Sequence, residues 1–193
     1  MQVSQLSDQV LIGQYLKGNE RSFEELLNRH RQKIYTSIYL FTKDHALAED
    51  IFQEVFIKII DTLKKGKYNH EGKFVQWAMR ISYNMCVDNF RKRKRRPTVN
   101  PTETFDIFDV IANPELNAEQ EIIKSQTHKK IRKLVDALPA EQREVVILRH
   151  YADMSFKEIS QLTRVSINTA LGRMRYALIN IRKMVEEREA ILQ

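Results

Sequence analysis

The sequence predicts an all-α protein of two small helical domains joined by a flexible acidic linker. Three observations carry this. Apolar residues recur at three- and four-residue steps in both halves of the chain, the pattern of amphipathic helices. Only five Gly and four Pro punctuate 193 residues, too few for a turn-rich sandwich or barrel. Charge is also segregated. Residues 1–96 hold 18 Lys and Arg against 11 Asp and Glu, and residues 119–193 hold 14 against 10. Residues 97–118 hold no cation, four carboxylates (Glu103, Asp106, Asp109, Glu115) and three of the prolines (Pro97, Pro101, Pro114). Domains at 1–96 and 119–193 with a linker at 97–118 follow from that division.

Composition narrows the class further. With 42% hydrophobic and 30% charged residues the chain can bury a core and is not a disordered tail. A single cysteine, Cys86, excludes an internal disulfide framework and a four-cysteine zinc site. No apolar run approaches the ~18 residues of a membrane span, and the N-terminus lacks the basic-then-apolar order of a signal peptide, so the expected compartment is the cytoplasm.

In the first domain, Phe23, Leu26, Leu27, His30, Ile34, Ile38 and Phe41 line one face of a helix, with Ser22 and Glu25 as a capping box at its start. A second helix follows Asp44, with Leu47, Ala48, Ile51, Phe52, Val55, Ile59 and Leu63 as its apolar stripe. Lys65-Gly66-Lys67 ends it. A third runs from about Lys73 into a basic tail, with Phe74, Ala78, Ile81 and Met85 inward. In the second domain, Ile122–Leu138 forms one element, and Pro139 restarts the chain as a helix with Pro at its first position. Ser155 and Glu158 open a two-turn helix, a break follows at 163–166, and Ser166 caps a longer one. Ile159, Leu162, Val165, Ala170 and Met174 point into the angle between the two, as in a helix-turn-helix.

Signals for catalysis are missing. The five histidines are scattered without ligand spacing, the glycines form no phosphate-cradling loop, and paired carboxylates such as Glu24/Glu25 sit among counter-charges on helix faces. No catalytic residue, metal or cofactor is expected. Four features point to binding instead. Arg91 to Arg96 are six adjacent cations that repel one another unless a polyanion is present. Beside them lie Tyr68, Phe74, Trp77, Tyr83 and Phe90. Trp77, Arg80, Asn84 and Arg91 share one face, the materials for stacking on and reading unpaired bases. Glu49, Asp50, Gln53 and Glu54 make a polar stripe opposite an apolar face, which on composition alone is a solvated surface. The helix from Ile167 carries Asn168, Thr169, Arg173, Arg175 and Tyr176 where a recognition helix meets base edges.

Together these motifs resemble an extracytoplasmic-function (ECF) sigma factor of bacterial RNA polymerase over nearly the whole chain. Asp50-Ile-Phe-Gln-Glu-Val-Phe56 is similar to the family's region 2 helix that docks on the polymerase β′ subunit. The resemblance thus implies core docking by Glu49, Asp50, Gln53, Glu54 and Phe56. Phe74-Val-Gln-Trp77-Ala-Met-Arg80-Ile-Ser-Tyr-Asn84 resembles the F-x-x-W-x-x-R-I-x-x-N segment that opens and reads the −10 element. It implies −10 roles for Tyr68, Phe74, Trp77, Arg80, Asn84, Arg91 and Arg93, with Tyr68 and Asn84 lining the site of a flipped-out base. Leu138-Pro139 and the stretch 155–182 resemble region 4, which reads the −35 element. Ser166, Asn168, Thr169, Leu171, Gly172, Arg173, Arg175 and Tyr176 are its expected contacts. ECF recognition helices commonly present Arg or Lys and then Ser where this chain has Leu171 and Gly172. Leu cannot donate to a base edge but packs on a thymine methyl, and Gly lets the backbone come close.

The implied partners are the polymerase core (β′ and β subunits), promoter DNA and an anti-sigma factor, without membrane insertion. The linker's 22 residues reach roughly 70 Å when extended, the spacing of two DNA elements about two turns apart. Its negative charge suits a path through a basic polymerase channel. The alternative is a stand-alone helix-turn-helix regulator, which binds DNA tightly without polymerase. A helical adaptor for acidic proteins would bind no DNA and leave Trp77 and Asn84 without a role.

Overall fold

The computed structural model describes residues 5–69, 72–95 and 130–191, and among them every regular element is an α-helix. The chain divides into two compact units. One is Met1–Asn100 with Leu148–Ser155, the other Pro101–Ile147 with Phe156–Gln193. The acidic linker, Arg96 and the stretch 122–129 lie outside the described residues.

The first unit is built from α1 (Asp8–Leu16), α2 (Glu20–Thr42), α3 (His45–Lys64) and α4 (Phe74–Arg95). Helix α2 packs on the other three, and α3 also packs on α4. Helix α1 was not anticipated from the sequence. Ser7 caps it by accepting from Val10 N–H, and Leu11, Ile12 and Tyr15 bury its inner side. At Gly18 the chain takes φ +97°, open to glycine without strain, and turns into α2. The expected Ser22–Glu25 capping box does not form. Helix α2 already begins at Glu20, and buried Ser22 donates from Oγ to Gln14 Oε1 at 2.6 Å. A tertiary acceptor on α1 takes the hydroxyl that the local pattern assigns to a cap.

The next junction follows the local rules. Asp44 accepts from Leu47 N–H at 3.1 Å and caps α3, and Gly66, at φ +63°, follows its end. Ile34, Ile38, Leu40, Ala48, Ile51, Val55, Ile59 and Leu63 fill the core between α2 and α3. On α4 the buried set is Phe74, Ala78, Met79, Ser82, Tyr83 and Cys86. Ile81 and Met85, expected inward, are only half-buried. Burial pushes the Cys86 thiol up to about 12, so it stays protonated and unreactive at neutral pH.

The second unit contains a helical stretch 130–136 (α5), α6 (Ala140–His150) as far as Ile147, α7 (Phe156–Thr163) and α8 (Ile167–Ile191). Leu134, Val135, Leu138, Val145, Val146, Ile147, Ile159, Ala170 and Ala177 are buried. Helix α6 begins after Pro139, whose carbonyl accepts from Gln142 and Arg143 N–H. Helix α7 packs on α8 through a tight turn. Arg164 takes the left-handed conformation at φ +58°, Val165 N–H donates to Ser160 C=O, and Ser160 Oγ donates to Val165 C=O. Ser166 then caps α8 by accepting from Thr169 N–H at 3.0 Å, as its position implies.

Candidate nucleic-acid interface

Three surfaces collect the residues singled out in the sequence. On α4, Trp77, Arg80, Asn84 and Arg91 descend one side. Arg80, Asn84 and Arg91 are exposed and Trp77 is half-buried. Tyr68, ahead of α4, brings its ring centroid to 4.4 Å from that of Trp77 and meets Phe74 edge-on at 6.2 Å. The aromatic cluster therefore exists, with a floor and a rim. Phe74, 2% exposed and 5.8 Å from Trp77, is the floor. Its ring is buried on the inward side that the apolar periodicity of α4 gives it.

The floor is itself supported from below. His30 lies 5.5 Å from the Phe74 ring, and its Nε2 is 2.8 Å from Asp8 Oδ2. Arg29 donates to the other Asp8 oxygen at 2.8 Å. Burial lowers the His30 pKa, with Asp8 opposing, so the ring is neutral at neutral pH. Since a carboxylate only accepts, the proton sits on Nε2 and is donated to Asp8. The sequence shows His30 only as part of an apolar face. Its partner lies on α1, which periodicity does not reveal.

Farther along α4 the basic run divides. Arg93 is half-buried, with Nη2 3.4 Å from the Asp44 carboxylate that caps α3. It reaches from the end of α4 to the α2–α3 junction, and its side chain keeps 37% of its surface in solvent. Arg91 stays exposed, 3.5 Å from Asp88, an equally exposed carboxylate whose attraction water screens.

The second surface is the outward side of α3. Asp50, Gln53 and Glu54 are exposed and Glu49 is half-buried. Phe56 is not among them. Its ring is buried 4.8 Å from Phe52. Ile57, on the same outward side, is 67% exposed and one turn beyond Gln53 and Glu54. An apolar residue out of register with the buried stripe was the available sequence signal.

The third surface is the leading half of α8. Asn168, Leu171, Arg175 and Tyr176 are exposed and Gly172 is partly so. The hydroxyls of Ser166 and Thr169, though exposed, are 2.8 Å apart and engaged at the helix start. Arg173 differs. It lies between Ala170 and Ala177, both fully buried, and its guanidinium reaches Glu141 at 3.0 Å and Glu144 at 3.6 Å on α6. Arg173 thus ties α6 to α8, beside the hydrogen bond from Asn180 to Gln142. Arg173→Ala is expected to cost the second unit about 1–2 kcal/mol, because the pair is only partly shielded from water. A lower thermal unfolding midpoint is the check. Altered DNA preference at unchanged stability would return Arg173 to the outward face.

Among the described residues no group of three His, Cys, Asp or Glu is placed to hold a metal, and no helix is long and apolar enough to cross a membrane.

Residues 26–96 match the family Sigma-70 region 2, and residues 128–175 match Sigma-70, region 4. The first span contains α3 and α4, the second α6, α7 and the leading turns of α8. The chain is 25% identical over 177 residues to the RNA polymerase sigma-H factor of Pseudomonas aeruginosa, covering 89% of this chain and 90% of the relative. It is 26% identical over 180 residues to the ECF RNA polymerase sigma factor SigW of Bacillus subtilis, covering 91% and 95%. Two solved structures share the fold. CnrH in complex with the cytosolic domain of CnrY matches with a TM-score of 0.60 and 19% identity, over 93% of this chain and 97% of that one. The sigma factor RpoE of Bartonella quintana, solved with the anti-sigma factor NepR, gives 0.62 and 17%, over 86% and 98%.

Proposed function

Because the chain belongs to the ECF sigma factors, which direct RNA polymerase core to promoters and aid strand opening, we propose that its surfaces divide that work among themselves. The domain boundaries in this reading are 1–96 for region 2, 97–118 for the linker and 119–193 for region 4. The outward side of α3 (Glu49, Asp50, Gln53 and Glu54, with Ile57) docks on the core at the β′ subunit, and the β subunit completes the core contact. Tyr68, Trp77, Arg80, Asn84 and Arg91 take the −10 element, and the outward side of α8 takes the −35 element. The observation that carries the reading is the tilted Tyr68–Trp77 ring pair at the head of the line Arg80, Asn84 and Arg91, within the span that matches region 2.

The mechanism is differential binding. Unpaired bases stack on the Trp77 rim and enter the site beside Asn84 only once the duplex opens, so binding favours the open form. The chain supplies no bond-breaking chemistry of its own. It works in the cytoplasm, where the polymerase does that chemistry. By analogy with relatives solved with the cytosolic domain of CnrY and with NepR, an anti-sigma factor holds it in reserve.

Run-off transcription with purified core on a promoter library tests this reading, and transcripts that require both chain and core are the expected result. A gel shift with and without core separates it from a stand-alone regulator, which would bind tightly alone. The double variant Gln53→Ala, Glu54→Ala is expected to weaken core binding about tenfold in a pull-down while sparing the thermal midpoint. Undiminished core binding would remove α3 from the docking surface.

A further inference from the structure

We propose that this protein selects its −35 element by a thymine, with Leu171 reading the 5-methyl group and Gly172 letting the α8 backbone approach the base edges. The inference rests on the reading of α8 as the −35 recognition helix.

At 100° per residue, Asn168, Leu171, Gly172 and Arg175 share the side of α8 opposite the buried Ala170 and Ala177. Leu171, 44% exposed, stands one turn from Asn168 and one turn from Arg175, between them along the axis and at one edge of that strip. Its branched alkyl end offers neither donor nor acceptor. In the major groove the thymine methyl is the one base feature that asks for neither. Any other edge there would lose its water partner and gain nothing in return. Of the two nearby cations, Arg173 is held by Glu141 and Glu144, while Arg175 is exposed one turn along the strip and can take a guanine or a phosphate beside the thymine.

Gly172 supports the same reading independently. Its φ is not positive, and a Cβ built there would meet nothing within 4 Å, so the protein's own packing does not call for glycine. Inside a helix glycine is less favourable than alanine. Its value lies outside the fold, in a lowered surface beside Leu171. Asn168, suited to an adenine edge, places an A·T-rich step next to the selected thymine.

The test uses holoenzyme assembled from the full chain and core. A promoter library first defines the −35 element, and each of its thymines is then replaced singly by deoxyuridine. This removes one methyl and keeps base pairing. One such replacement is expected to lower holoenzyme affinity about fourfold, the effect of one buried methyl. With Leu171→Ala, the thymine and uracil promoters should bind alike. Gly172→Ala should raise the thermal midpoint of the second unit by about 4 °C and still weaken −35 binding. A selected element without thymine, uracil promoters that bind normally, a methyl effect that survives Leu171→Ala, or undiminished binding by Gly172→Ala would each overturn the inference alone. If the library selects no −35 element at all, the recognition-helix reading falls with it.

Discussion

Phe74→Ala is expected to destabilise the first helical unit by about 3–5 kcal/mol, the usual cost of emptying a phenylalanine site in a core. Total stabilities run near 5–15 kcal/mol, so this one change consumes a large share. The ring is 2% exposed and lies against His30, Tyr68 and Trp77. Without it the aromatic rim loses its floor and α4 loses its first anchor. Core binding and promoter opening should therefore fall together, with a lowered midpoint in circular dichroism. Phe74→Leu, which refills most of the volume, should recover the greater part. A variant that keeps its stability and loses only opening would show that the ring faces DNA after all.

Trp77→Ala should behave in the opposite way. Stacking of an unpaired base on an aromatic ring contributes about 1–3 kcal/mol, so the open-complex population should drop roughly fivefold to a hundredfold. Permanganate reactivity of −10 thymines reads that directly, and a pull-down should show core binding retained. Truncation also removes packing against Tyr68 and Phe74. Trp77→Phe separates the two effects, because it keeps a stacking face and should keep most of the opening. Asn84→Ala, on the same side of α4, should blur −10 discrimination more than it impairs opening. Lost core binding with opening intact would sink the division of labour between α3 and α4.

The two residues lie three apart in one helix: periodicity puts Phe74 inward and Trp77 on another face, while the resemblance implies −10 roles for both. Their difference comes from His30 and Asp8, which lie behind Phe74 and leave Trp77 at the rim. The same contrast recurs elsewhere. Asp44 and Ser166 cap α3 and α8 as their positions imply, because a cap and its amide are three residues apart. Ser22 carries the same local signal and fails as a cap because Gln14, on another helix, takes its hydroxyl. Helix α1 itself went unread. It is nine residues long, with Gly13 in its middle and exposed Val10 and Leu16 blurring its apolar side.

Helical class, the two families of motifs and their order along the chain are written in interactions that act within about four residues, so they are legible without coordinates. Which member of a motif faces outward is a different kind of fact. Arg173 turns to Glu141 and Glu144, Arg93 to Asp44, and Phe56 to Phe52 within a filled core, while Ile57 is left in water. Ion pairs between helices form only once packing brings distant carboxylates within reach. A ring one position out of register becomes floor or rim according to what lies beneath it. That geometry divides the basic and aromatic residues of this sigma factor into those engaged in its packing and those left exposed.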